Sequence, residues 1–292
     1  METLLKTNKT KFQIVSDLHV DFSDNYIYSA QNLKPSNFSD EETKILIVAG
    51  DTCQNNYKKR DKFIHAIFSK WDTVIEVPGN HDHYEKSYDW SIANHALIHN
   101  VTDDVLEIDK LENMSLAIEK NHVIEDDGYS HHLYINNDYI DVSGIRIICS
   151  TLWSEILDNG HLIMRGMNDY NLIDKYDIPK NNERYYNSVK FIEKTLKNTP
   201  EDMKCIVVTH HLPMWELISG KYITNNMNEA YASKGLIKLI KKYSSKIKYW
   251  IHGHSHDQLR VKYFETEFIR NPLGYSFLGE GGSFDKNLVL EL

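Results

Sequence analysis

A chain of 292 residues is long enough to bury a large core, and its 41% hydrophobic content is ordinary for a globular protein. A formal net charge of −9 argues against a long basic track for nucleic acid. No apolar run approaches the roughly 18 residues needed to span a bilayer, and residues 1–11 are polar and basic without the apolar segment of a signal peptide. The expectation is a cytoplasmic protein with no membrane partner. Cys53, Cys149 and Cys205 are odd in number and far apart, which fits free thiols in a reducing compartment.

In chain order, residues 12–16, 45–49 and 74–77 read as short buried strands rich in Val and Ile. Each is followed closely by a polar block: Asp17-Leu18-His19, then Gly50-Asp51, then Gly79-Asn80-His81-Asp82. Between them, residues 56–71 have a helical pattern that places Phe63, Ile64, Ile67 and Phe68 on one face, with Lys58, Lys59 and Arg60 on a solvated face at its start. Residues 86–125 read as mostly helical and form a candidate elaboration on the substrate side of one domain spanning 1–292. Residues 133–135, 139–142 and 145–150, separated by turn-forming residues, predict an antiparallel meander. Two more buried strands, 206–209 and 249–252, precede His210-His211 and Gly253-His254-Ser255-His256. Residues 229–243 predict a helix with Leu236, Leu239, Ile240 and Tyr243 on one face. Residues 259–263 and 267–270 predict a hairpin, and 287–291 a last strand. Strands alternating with helices, with polar blocks after the strands, define an α/β class with ligands at the carboxyl ends of strands.

The five blocks supply carboxylate oxygen, amide oxygen and imidazole nitrogen, and no cysteine. That donor set suits a pair of divalent cations with open coordination positions. Together the blocks resemble the bacterial-type branch of the calcineurin-like metallophosphoesterase superfamily, whose pattern is D-x-H, G-D, G-N-H-[D/E], H, G-H-x-H. The resemblance spans Asp17 to His256. It implies a two-sheet β-sandwich flanked by helices on both sides. It implies two divalent metal ions, manganese foremost in vitro, with iron, zinc or cobalt as alternatives. By position, Asp17, His19, Asp51 and His256 would hold one ion, and Asp51, Asn80, His210 and His254 the other, with Asp51 bridging. Two carboxylates against two divalent ions and a bridging hydroxide leave a net positive site that attracts phosphate. His81 would be the general acid at the leaving group. Asp82 would orient His81 or shape its loop.

The expected activity is hydrolysis of small phosphomonoesters or phosphodiesters, with nucleotide-derived esters among the candidates. On a strand, residues two apart share a side, so Asp17 and His19 would face one ion if strand geometry continued past Ser16. A weaker group of substrate contacts comprises His211, Trp153, Arg165 and Asn168. The bland reading of Thr151-Leu152-Trp153 and Met167-Asn168-Asp169-Tyr170, the segments that hold Trp153 and Asn168, is a packed Trp and a helix-capping Asn-Asp turn. Gly50-Asp51-Thr52-Cys53-Gln54 lacks the Asp-Arg-Gly that follows Gly-Asp in the protein Ser/Thr phosphatases, and no Tyr ligand is placed as in purple acid phosphatases. The rival readings are a nuclease of the same superfamily, disfavoured by the acidic charge, and a metal-free scaffold, disfavoured because no ligand position is lost.

Overall fold

The structure, a computed structural model, describes residues 10–39, 42–54, 65–86 and 131–292. The expected helix over 56–71 lies outside these residues except for its end, where 65–68 are helical. Lys58 to Arg60 and all but the first residue of 86–125 also lie outside them.

Strands β1 (Lys11–Val15), β2 (Ile45–Ala49) and β3 (Thr73–Val77) run parallel, with β4 (His131–Tyr134) parallel beyond β3 and β11 (Val289–Glu291) antiparallel beyond β1. In the second sheet β6 (Ile145–Ser150), β7 (Lys204–Thr209), β8 (Ile247–Ile251) and β10 (Thr266–Arg270) are parallel. Its edges are antiparallel, formed by β5 (Asp138–Val142) and β9 (Leu259–Tyr263). Of the two strand pairings in the expected meander, one forms. β5 and β6 pair antiparallel, but β4 belongs to the other sheet, where His132 meets Glu76 at 2.7 Å. Asn136 and Asn137 make the switch between sheets. Asn136 Oδ1 accepts from Thr151 N–H at 2.9 Å, and Asn137 Oδ1 accepts from the Ser150 hydroxyl at 2.7 Å.

The period of two in a strand explains why β2 is apolar throughout. Ile45, Ile47 and Ala49 join a core between the two sheets with Ile147, Val208 and Ile251. Leu46 and Val48 face the other way, against Leu33, Phe68 and Trp71. The outer face of the second sheet packs Ile148, Val207 and Trp250 against Tyr185, Ile192 and Leu196 of the helix Ile178–Asn198. That helix starts where Asp177 caps Lys180 N–H at 2.9 Å and Pro179 occupies the first turn. Each large apolar side chain so buried contributes about 1.5–3 kcal/mol.

One predicted helix is shorter than expected. Residues 229–243 divide into a 3₁₀ turn at Asn228–Ala230 and a helix at Ile237–Tyr243. The backbone between them is bonded elsewhere: Leu212 N–H donates to Tyr231 O at 3.0 Å and Ser233 N–H to Leu212 O at 3.0 Å. No described helix is long and apolar enough to cross a membrane.

Candidate metal centre and its cavity

Five strands of the two sheets, β1, β2, β3, β7 and β8, deliver the five polar blocks to one place. Asp17 and His19 arrive by a different geometry from the expected one. The strand stops at Val15, and both residues have left-handed backbone, φ 50° and 44°. Asp51 (φ 54°) and His254 (φ 67°) share this conformation, uncommon outside glycine. The loops hold one another there. Asp17 N–H donates to Gly50 O at 2.9 Å, His19 N–H to Asp51 O at 3.0 Å, and His254 N–H to Asp17 Oδ1 at 2.9 Å. Gly50 and Gly79 are needed for close approach: a Cβ on Gly50 would collide with the His210 ring, and one on Gly79 with the Asp51 carboxylate.

The side chains form linked ligand groups. Asp17, His19 and His256 converge as one set, Asp51, His210 and His254 as another, and His19, Asp51 and His81 join them, each set with its donor atoms within 4.8 Å. Asn80 Oδ1 lies 3.0 Å from His210 Nε2, which is 3.4 Å from Asp51 Oδ2. Asp17 Oδ2 and His254 Nε2 are buried atoms without a hydrogen-bond partner. Such orphaned donors and acceptors are costly unless something binds them. An oxygen and nitrogen donor set with unpartnered atoms fits divalent cations.

The outer partners orient these donors. His210 Nδ1 donates to Ala49 O at 2.9 Å, so its Nε2 faces inward as the free lone pair. His256 Nδ1 lies 2.6 Å from Glu280 Oε2. Asn80 donates its amide to Asp169 at 2.7 Å and to the Tyr84 hydroxyl at 3.1 Å, leaving Oδ1 toward His210. Tyr84 also donates to Asp169, at 2.8 Å.

Charge accounts for the titration behaviour. Burial alone would raise Asp51, but His210, His81 and His19 outweigh it and hold the carboxyl well below its usual range. Burial lowers His256, yet hydrogen bonds to Asp17 and Glu280 bring it up to about 10. Burial likewise lowers His210, and Asp51 raises it to about 9. His19 has no such surplus; burial, then the His81 charge, put it well below its ordinary value.

His81 lines the cavity beside the cluster. Its Nε2 is 3.9 Å from Asp51 Oδ2 and 3.2 Å from the Tyr275 hydroxyl, and its backbone N–H donates to Asp51 Oδ1 at 2.9 Å. Asp82 is placed otherwise than as a partner of the His81 ring. It is fully buried and its Oδ2 accepts from Asp51 N–H at 3.0 Å and Gly79 N–H at 2.8 Å, tying the β2 and β3 loops together. Of the weaker substrate candidates, only Asn168 lines the cavity. Trp153 is buried, its ring faces covered by His83, Tyr176 and His211, so that it packs behind the site and does not line the cavity. His211 is buried too, with Nδ1 3.2 Å from Thr151 O, and burial takes it down to about 3. Arg165 is exposed on the short helix Gly160–Gly166, away from the lining.

Sequence pattern alone does not assign Asp169, Glu280 or Tyr275 to the site. Asp169 adjoins Asn168, and the Asn-Asp pair was the available signal. Glu280 and Tyr275 have none, because a loop after β10 brings them to the site. The cavity measures about 310 Å³, within the range that holds small ligands.

Two packed mixed sheets with helices outside, and a carboxylate–imidazole cluster at strand ends, define a metallophosphoesterase. The chain belongs to the calcineurin-like phosphoesterase family, whose sequence model matches residues 10–258, and it is a hydrolase acting on phosphoester bonds. It is 27% identical over 279 residues to an uncharacterized protein of Acanthamoeba polyphaga mimivirus, covering 90% of each chain. Its fold is similar to that of phosphopantetheinyl hydrolase from Mycobacterium tuberculosis, with a TM-score of 0.65, 14% identity, and coverage of 97% of this chain and 96% of the other.

Proposed function

We propose that this hydrolase uses two divalent ions to cleave small phosphomonoesters or phosphodiesters. The observation that supports this most is the pair of adjoining three-residue ligand groups, Asp17/His19/His256 and Asp51/His210/His254, with Asn80 Oδ1 beside His210. Asp17, His19, Asp51 and His256 would hold one ion, and Asp51, Asn80, His210 and His254 the other. Divalent ions bound there would supply positive charge for the phosphoryl oxygens and make a nucleophile of water near neutral pH.

The remaining steps fall to the chain itself. Asp51 aligns the two groups. His81, on the cavity wall and hydrogen-bonded to Tyr275, protonates the departing alcohol. Glu280, Ala49 O and Asp169 fix the orientation of His256, His210 and Asn80. A cavity of about 310 Å³ suits a small ester, and among the described residues no lysine or arginine lines it. Both points disfavour the nuclease reading. The complete ligand set disfavours the scaffold reading. Cys53, Cys149 and Cys205 are all buried, which is consistent with thiols in a reducing cytoplasm.

The test is metal-stripped protein reloaded with Mn²⁺ and given p-nitrophenyl phosphate, bis-p-nitrophenyl phosphate, nucleotide esters and long single- and double-stranded DNA. Metal-dependent cleavage of small esters with little cutting of DNA is expected. Comparable or faster cutting of DNA would install the nuclease reading instead.

A further inference from the structure

The loop after β7 contains a repeat that the metal site does not use. Asn225 N–H donates to Tyr222 O at 2.8 Å, Asn228 N–H to Asn225 O at 3.2 Å, and Tyr231 N–H to Asn228 O at 3.0 Å. These are successive i to i+3 turns that link two short 3₁₀ helices, Gly220–Tyr222 and Asn228–Ala230. All four residues, Tyr222, Asn225, Asn228 and Tyr231, line the cavity. The result is a stripe of phenol, amide, amide, phenol. Its Tyr231 end lies against the His254 ring, with centroids 4.6 Å apart and planes at 32°.

Part of the stripe braces itself and part is open. Buried Asn228 donates its amide to Tyr222 O at 2.8 Å, holding the turns together. Asn225 Oδ1 accepts from Met227 N–H at 2.9 Å, leaving its amide nitrogen uncommitted among the described residues. Asn168, from a different segment, lines the same cavity.

We infer that this stripe is the subsite for the alcohol part of the substrate, and that it selects an uncharged group bearing amide-like donors and acceptors beside a flat or apolar surface. This inference rests on phosphoester hydrolysis at the adjoining ligand cluster. Carboxamides pair with both donors and acceptors, and phenol rings give contact area at little rotamer cost. A site built to hydrogen-bond its ligand rejects analogues lacking those groups more strongly than an apolar pocket does. A nucleobase and an acyclic amide share this chemistry.

The test compares kcat/KM of the Mn²⁺-loaded enzyme on p-nitrophenyl phosphate, glycerol 2-phosphate, nucleoside 5′-monophosphates and the phosphate ester of N-acetylethanolamine. At least one amide-bearing or base-bearing ester should exceed glycerol 2-phosphate by about tenfold or more. Which of the two does so identifies the source. Asn225→Ala and Tyr222→Ala should shrink that ratio about fivefold or more, mainly through KM, and Asn225→Gln should restore part of it. Equal kcat/KM on all organic esters, or a ratio that both alanine variants leave intact, overturns the inference. Failure to turn over any ester, p-nitrophenyl phosphate included, with metal bound would overturn the hydrolase reading beneath it.

Discussion

The Nε2 atoms of His19 and His256 lie 3.2 Å apart, although 237 residues separate them in the chain. One ring can donate its N–H to the other, and with both lone pairs free the two nitrogens converge on a single point as donors for a cation. Glu280, 2.6 Å from the far nitrogen of His256, makes that ring a stronger electron donor toward the same point. The arrangement is costly for a hydrophobic core and favourable for a cation.

Replacing Glu280 by Gln should therefore weaken metal binding about 10–100-fold while the fold persists. Titrating metal-stripped wild type and variant with Mn²⁺ measures this, and circular dichroism checks the fold. Unchanged affinity would remove Glu280 from the role of orienting His256.

Asp51 touches both ligand groups, so Asp51→Asn should lower bound metal to one ion or fewer per chain and abolish hydrolysis. Metal analysis of purified protein beside turnover of p-nitrophenyl phosphate would show it. Two retained ions and wild-type turnover would exclude Asp51 as the bridging ligand.

For His81, the outcome should depend on the leaving group. His81→Ala should keep its metal, and its rate on an alkyl phosphate should fall about 10²–10⁴-fold, with a much smaller loss on p-nitrophenyl phosphate. An activated phenol departs without protonation. Equal losses on both esters would make His81 a group that positions phosphate.

Glu229 offers a test at a distance from the metal cluster. Its buried Oε2 accepts backbone N–H groups from Leu157, Asp158 and Asn159, at 3.2, 3.0 and 3.2 Å, and Lys234 reaches Oε1 at 2.8 Å. Burial opposes ionisation, but Lys234 and the three N–H groups prevail and bring the carboxyl from near 4.5 down to about 2. A depressed carboxylate contributes stability that is fully present above its unfolded pKa and disappears as pH falls through the folded one. Glu229→Gln should thus cost about 1–3 kcal/mol at pH 7 in urea unfolding, less than the whole shift because Lys234 is half exposed, with the gap closing between about pH 4.5 and pH 2. A gap independent of pH would show that packing, and not charge, is responsible.

Much of the framework was legible in the sequence because parallel strands buried on both faces leave continuous apolar runs. β2, β3, β7 and β8 were found within a few residues for that reason, and so were the donor types that follow them. A donor's element is a property of its residue, so a hard, cysteine-free ligand set could be read directly. Pairing could not. β4 joins β3 and not β5, because sheet membership depends on which edge is open in space.

Orientation was equally out of reach. Asp17 and His19 reach the cluster through left-handed backbone held by hydrogen bonds to the β2 loop, not through strand alternation. Trp153 went into the core, Asp82 to backbone amides, and Glu280 to His256, each from a position that local pattern leaves open. Amino-acid sequence by itself determined which donors this protein owns and which runs must be buried. Only the tertiary structure decided what each donor faces, since hydrogen bonds and close contacts between distant segments set direction, and local propensity does not extend that far.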